Sequence, residues 1–217
     1  MEASVRVAIV EDESLFRDLL RTGLSAVPRI EVVADYGDAD SASAGIPTAG
    51  VDVVLMDINL GAGRNGVQLG LELREIIPTL GIVLLSNHRD INHLHAIPKK
   101  FAAGWSYLLK RSVSDLASLQ RAIEGAAKGL FVLDPELVAD LGNRLGVVDS
   151  LPPRGKEILQ LLAEGLSNGE IARRLHLAEK YVENQVSELY QRHAVDTKDP
   201  TAHPRVRAAL LFLGHQG

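Results

Sequence analysis

Two periodicities alternate along residues 1–130. Short continuous apolar runs occur at 5–10 (VRVAIV), 30–36 (IEVVADY), 51–57 (VDVVLMD), 81–86 (GIVLLS) and 105–110 (WSYLLK). Runs of this length predict strands buried on both faces. Between them apolar residues recur at helical spacing. Leu15, Leu19, Leu20 and Leu24 mark a helix over 14–27, and Leu69, Leu73, Ile76 and Ile77 one over 67–77 that Pro78 stops. Leu116, Leu119 and Ile123 mark a third over 113–128, closed by Gly129. Strands alternating with helices predict an α/β fold, a parallel sheet with helices on both faces.

After about residue 134 the strand signal ends. Pro135 opens a connecting helix over 135–146. VVDSLPP (147–153) marks a boundary, and four short helices follow at 153–164, 168–175, 178–193 and 204–213. The expected organisation is an α/β domain over 1–130, a linker over 131–150 and a small all-α domain over 151–217.

The strand ends carry the candidate chemistry. Glu11 and Asp12 follow the first strand, Asp57 ends the third, Ser86 the fourth and Lys110 the fifth. In a doubly wound sheet these ends converge on one edge, where ligands bind. Carboxylates brought together repel, and a divalent cation neutralises them. Mg²⁺ suits such a site, with one or two carboxylates and phosphate oxygens as ligands. Lys110 supplies a positive point charge for an anion and Ser86 a hydroxyl donor. The set suits an aspartate that accepts a phosphoryl group. Taken singly, each acid reads equally as a solvated strand-end residue; the ordered set of five argues for a site.

Composition narrows the classes. Hydrophobic residues are 46% and charged residues 24%, ordinary for a soluble globular protein. The absence of cysteine excludes disulfide and thiolate chemistry and suits a reducing cytoplasm. No apolar stretch approaches the ~18 residues of a membrane span, and the opening MEASVRVAIVEDE lacks the pattern of a signal peptide. Net charge is −5, but residues 1–150 hold 14 basic and 20 acidic residues against 9 and 8 in 151–217. A basic face for nucleic acid must therefore be local.

The motifs VEDE (10–13), LMDINL (55–60), LLSN (84–87) and YLLK (107–110) resemble those of response-regulator receiver domains. The resemblance implies a flavodoxin-like, five-stranded fold and phosphorylation of Asp57 by a sensor histidine kinase. It implies that Asp12, Asp57 and the backbone carbonyl of Asn59 hold Mg²⁺ with Glu11 assisting through water, that Ser86 and Lys110 contact the phosphoryl group, and that Tyr107 is the switch aromatic. Departures are Leu60-Gly61 where the family has Met-Pro, Gly66 about one residue late, Ser106 in place of a glycine, and a longer 87–104 segment interrupted by Pro98.

In the C-terminal part, Ile171, Ala172 and Leu175 on one helix and Val182, Val186 and Leu189 on the next have the spacing of two crossed helices with a shared core. Such a pair serves dimerisation as well as DNA binding. LPPRxxEIL (151–159), LAEGLSNxEIARRL (162–175), EKxV (179–182) and Asn184 resemble the four-helix DNA-binding domain of LuxR/FixJ-type regulators. Together the two resemblances describe a NarL/FixJ-type response regulator, a cytoplasmic protein that binds double-stranded promoter DNA as a homodimer once phosphorylated. They imply that helix 178–193 enters the major groove. Arg173, Arg174 and Lys180 become candidates for phosphate contacts and Glu183, Asn184 and Ser187 for the bases, with Tyr181, on the same polar side of the helix, in place of the family's usual threonine. Glu183 stands where the family often has lysine and can accept from cytosine N4.

Other readings stay open. The helix pair could have lost DNA and serve a phosphorylation-controlled protein-binding module, which Glu183 favours. A phosphatase using Asp57 would leave 151–217 without a role, and Asn59 stands where its second acid would be. His88, His93 and His95 are loosely spaced and read as surface residues rather than metal ligands. Helix 204–213 reads either as a dimer surface or as a core helix.

Overall fold

The computed structural model describes residues 4–61, 63–89, 103–142 and 151–192. His93, His95, Pro98 and the 204–213 helix lie outside them. The first domain runs β1 (Val5–Val10), α1 (Ser14–Ser25), β2 (Ile30–Tyr36), α2 (Ala39–Gly45), β3 (Val53–Asp57), α3 (Gly66–Ile76), β4 (Gly81–Ser86), β5 (Trp105–Leu109) and α4 (Leu116–Ala127). A further strand, β6 (Val132–Leu133), leads into α5 (Pro135–Gly142). The second domain contributes α6 (Pro153–Ala163), α7 (Asn168–Leu175) and α8 (Glu179–Arg192).

The strands form one sheet in the order β2-β1-β3-β4-β5-β6, with every pair parallel. The continuous apolar runs are explained by two cores, one on each face. Ala8, Val10, Val54, Met56, Leu84, Trp105 and Tyr107 point to one side, with Leu69 and Leu73 of α3 in the same core. Val7, Ile9, Val53, Leu55, Val83 and Leu108 point to the other, where Leu20 and Leu24 of α1 and Leu119 and Ile123 of α4 cover them. Alternate side chains thus enter opposite apolar layers.

Three expectations need correction. The sheet has six strands rather than five; β6 is two residues long, and no periodicity shows in so short a run. α2 was absent from the apolar pattern because its sequence, ADSASAG, has no large apolar stripe. Its start is chemical instead, for the Asp38 side chain accepts from the Ser41 N–H. Finally, Leu15, Leu19 and Ile76 are not core residues, being 83%, 61% and 60% exposed. In α1 the buried stripe is Leu20 and Leu24 alone.

Ser106, at the family's glycine position, is buried and donates its hydroxyl to the Ala122 carbonyl of α4 at 3.2 Å. The substitution is thereby satisfied within the core. The small domain is built as its spacing predicts: Ile171, Ala172, Val182, Val186 and Leu189 are buried and Leu175 packs beside them. Ser167 and Glu170 form a reciprocal capping box at the start of α7. The two domains meet. Leu137 and Val138 of α5 belong to the same core as Ile158 and Leu162 of α6. Gly165 packs so closely on β6 that an added Cβ would lie 2.8 Å from Val132 Cγ2.

Candidate functional site

The carboxyl ends of β1, β3, β4 and β5 bring the expected set together. β1 pairs with β3, so Val10 lies beside Met56, and the acids that follow each strand share one edge. Ligand oxygens of Glu11, Asp12 and Asp57 all lie within 4.8 Å of one another. Glu11 and Asp57 are buried, while Asp12 is exposed. Lys110 Nζ reaches Asp57 Oδ2 at 2.8 Å and Glu11 Oε1 at 2.9 Å, with Glu13 Oε1 at 3.5 Å. It also sits 4.8 Å from the centre of the Phe16 ring, a cation–π contact.

The electrostatics are those of an under-neutralised acidic pocket. Burial raises the Glu11 pKa, and the Asp57 charge adds to the rise against the opposing Lys110 contact. For Lys110, burial disfavours the ammonium, but its hydrogen bonds to Asp57 and Glu11 outweigh that and raise its pKa. Glu11 Oε2 is buried and has no hydrogen-bond partner. An orphaned buried carboxylate oxygen facing two more carboxylates fits a hard divalent cation.

The loops hold Asp57 in place. Its Oδ1 accepts from the Asn59 N–H at 3.0 Å. The Gly66 N–H donates to Ile58 O at 2.8 Å, and a Cβ on Gly66 would sit 2.1 Å from the Asp57 carbonyl oxygen. Gly66 is therefore the residue that lets α3 start against the acceptor strand, despite its displaced position in sequence. Asn65 caps α3 with Gln68 in a reciprocal box.

Ser86 is buried next to this pocket, and its Oγ is engaged locally. It donates to His88 O and accepts from the His88 N–H, both at 3.1 Å. Tyr107 is fully buried, and its hydroxyl donates to the same His88 carbonyl at 3.1 Å. Ser86 and Tyr107, predicted as partners in a switch, thus converge on one acceptor.

In the small domain Lys180, Tyr181, Asn184 and Ser187 lie on the exposed side of α8, with Glu183 half-buried. Lys180 Nζ pairs with Glu183 Oε2 at 3.0 Å, and Ser187 Oγ donates to Glu183 O at 2.9 Å. Arg174 lies 3.9 Å from the buried Glu164, and Arg173 Nε donates to Gly169 O of its own helix at 3.4 Å.

Sequence reasoning missed a second group of residues. Arg89 and Arg111 both grip Glu136 at the start of α5. Asp134 is fully buried there, and its two oxygens accept from Leu109 and Glu136 N–H groups, each at 2.9 Å. The signal available was the acid-Pro-acid run Asp134-Pro135-Glu136, a helix start that also favours negative charge.

With this geometry in hand, comparison with known proteins settles the class. Residues 7–124 match the response regulator receiver domain, and residues 149–198 the luxR family of bacterial regulatory proteins. The chain belongs to the response-regulator family. It is 33% identical to the nitrate/nitrite response regulator NarP of Escherichia coli over 98% of this chain and 96% of that protein. It is 32% identical to the DNA-binding transcriptional activator DevR/DosR of Mycobacterium tuberculosis over 91% of this chain and 92% of that one. Among solved structures it is similar to the response regulator ChrA, with 27% identity, a TM-score of 0.51, and 97% and 98% of the two chains covered. The protein is a two-component response regulator with a receiver domain and a LuxR-type domain, and these relatives are regulators by name. No described helix is long and apolar enough to cross a membrane.

Proposed function

We propose that a sensor histidine kinase phosphorylates Asp57 and that this controls dimerisation and promoter binding in the cytoplasm. Residues 1–130 receive the phosphoryl group, 131–150 relay the change and 151–217 bind double-stranded DNA. The observation that carries the reading is Asp57 itself, a buried carboxylate 2.8 Å from Lys110 in a pocket of further acids. An Asp57 oxygen forms the bond to phosphorus as the bond to the kinase's phosphohistidine nitrogen breaks. Lys110 and Ser86 then face the transferred oxygens. Glu11, Asp12, Asp57 and the Asn59 carbonyl would hold Mg²⁺. That ion, when bound, neutralises the charge of the phosphoryl oxygens.

We assign Asn184, Ser187 and Glu183 of α8 to the base edges, with Tyr181 beside them on its polar side, and Lys180 of α8 and Arg173 and Arg174 of α7 to the phosphates. One observation favours the protein-binding alternative: Glu183 already neutralises Lys180, which weakens the attraction of α8 for a polyanion. A small-molecule phosphodonor with Mg²⁺ tests the first step. The wild type is expected to take up one base-labile, hydroxylamine-sensitive phosphoryl group and Asp57→Asn none. Equal labelling of the two would overturn the assignment.

A further inference from the structure

We propose that Glu136 is a positioning residue that holds linker helix α5 to the phosphoacceptor edge, and that its clamp belongs to the unphosphorylated state. The proposal rests on the receiver reading above. Asp134 pins the start of α5 to the end of β5, since its Oδ2 accepts from the Leu109 N–H and its Oδ1 from the Glu136 N–H. From that anchor Glu136 reaches two arginines. Arg111 Nε and Nη2 contact Oε1 and Oε2 at 3.1 and 2.5 Å, and Arg89 Nη2 contacts Oε2 at 2.7 Å.

The placement of the two arginines makes this more than a surface brace. Arg111 directly follows Lys110, which holds Asp57. Arg89 directly follows His88, whose carbonyl accepts from both Ser86 Oγ and the Tyr107 hydroxyl. Ser86 has one O–H to donate. When that hydrogen turns to a phosphoryl oxygen, its bond to His88 O is lost, and of the two hydroxyls that hold the carbonyl just before Arg89 only that of Tyr107 stays. Both groups that would meet the phosphoryl oxygens, Ser86 and Lys110, are therefore coupled within a few residues to the same carboxylate. On the far side, α5 carries Leu137 and Val138 into the core shared with α6. A change at Asp57 thus has a short covalent and ionic route to the helix that supports the DNA-binding domain.

Coupling between two sites is reciprocal. If the clamp opposes the phosphorylated arrangement, removing it must make that arrangement easier to reach. The test uses the full chain and beryllofluoride with Mg²⁺ as the phosphoryl mimic, followed by calorimetry and by the fluorescence of Trp105, the single tryptophan. Glu136→Gln is expected to bind the mimic roughly fivefold to tenfold more tightly than wild type, a range at the lower end of known couplings. Arg89→Gln is expected to shift it the same way, and the double variant no further than Glu136→Gln. Unchanged affinity with a lowered unfolding midpoint would overturn the proposal and leave Glu136 as a brace. Weaker binding would overturn it too, by placing the clamp in the phosphorylated state. A wild type that does not bind the mimic, or binds it equally as Asp57→Asn, would defeat the receiver reading itself.

Discussion

The residue that organises the receiver edge is Lys110. It is almost fully buried, and it lies against two carboxylates and an aromatic ring. Removing one partner from a buried charge cluster leaves the others uncompensated, at a cost of roughly 3–5 kcal/mol. Lys110→Met is expected to lower stability on that order at neutral pH in urea unfolding, and added Mg²⁺ to restore more stability to it than to wild type. Equal unfolding midpoints without Mg²⁺ would mean that Glu11 and Asp57 do not depend on the lysine. On α8 the informative residue is Glu183. Glu183→Lys removes the partner of Lys180 and adds a cation, so DNA affinity should rise and the salt slope steepen by about one unit per new phosphate contact. An unchanged slope would place this face away from the backbone. The acids, Ser86 and Lys110 were legible in sequence because each ends a strand. The Glu136 clamp was not, because Arg89 follows β4, Arg111 follows β5 and Glu136 lies in α5, segments distant in sequence that only the sheet brings together.

At the scale of elements, the fold was legible where large apolar residues mark a buried face and illegible where they do not. β1, β3, β4 and β5 are continuous apolar runs because both faces of the sheet are covered. α2 is small-residue and capped by Asp38, and β6 is two residues long. Leu15 and Leu19 show the opposite error, for helical spacing marks a stripe but not whether the neighbouring element covers it. The β3–α3 junction yields a test. A Cβ on Gly66 would meet the Asp57 carbonyl oxygen at 2.1 Å, a backbone atom that cannot rotate away. Gly66→Ala is therefore expected to displace the strand end, lower stability by about 1–3 kcal/mol and slow Asp57 phosphorylation by a small-molecule donor. Wild-type rates in a folded Gly66→Ala variant would contradict this account of the junction.

For the whole molecule, the central feature is that the receiver and the helix-turn-helix domain share a core through α5 and a contact between Gly165 and Val132. Glu164 is buried beside that contact, and burial raises its pKa against the opposing effects of Gln160, Arg174 and Arg121, while Asp134 adds to the rise. A carboxyl whose pKa is raised on folding binds its proton more tightly in the folded state. Its contribution to stability is present at low pH and is lost as pH rises through the raised value. Glu164→Gln should therefore be more stable than wild type at neutral pH, with the difference shrinking as pH falls below that value. A pH-independent difference in urea midpoints would rule out the ionised carboxylate as the cause. Phosphorylation-controlled DNA binding is tested by selection of sequences from a random DNA pool by the full chain, with and without beryllofluoride and Mg²⁺, in wild type and Asp57→Asn. Sequence-selective binding is expected to tighten with the mimic in wild type and not to respond in Asp57→Asn. Absence of selective binding in every state would contradict it and leave a protein as the target of the small domain.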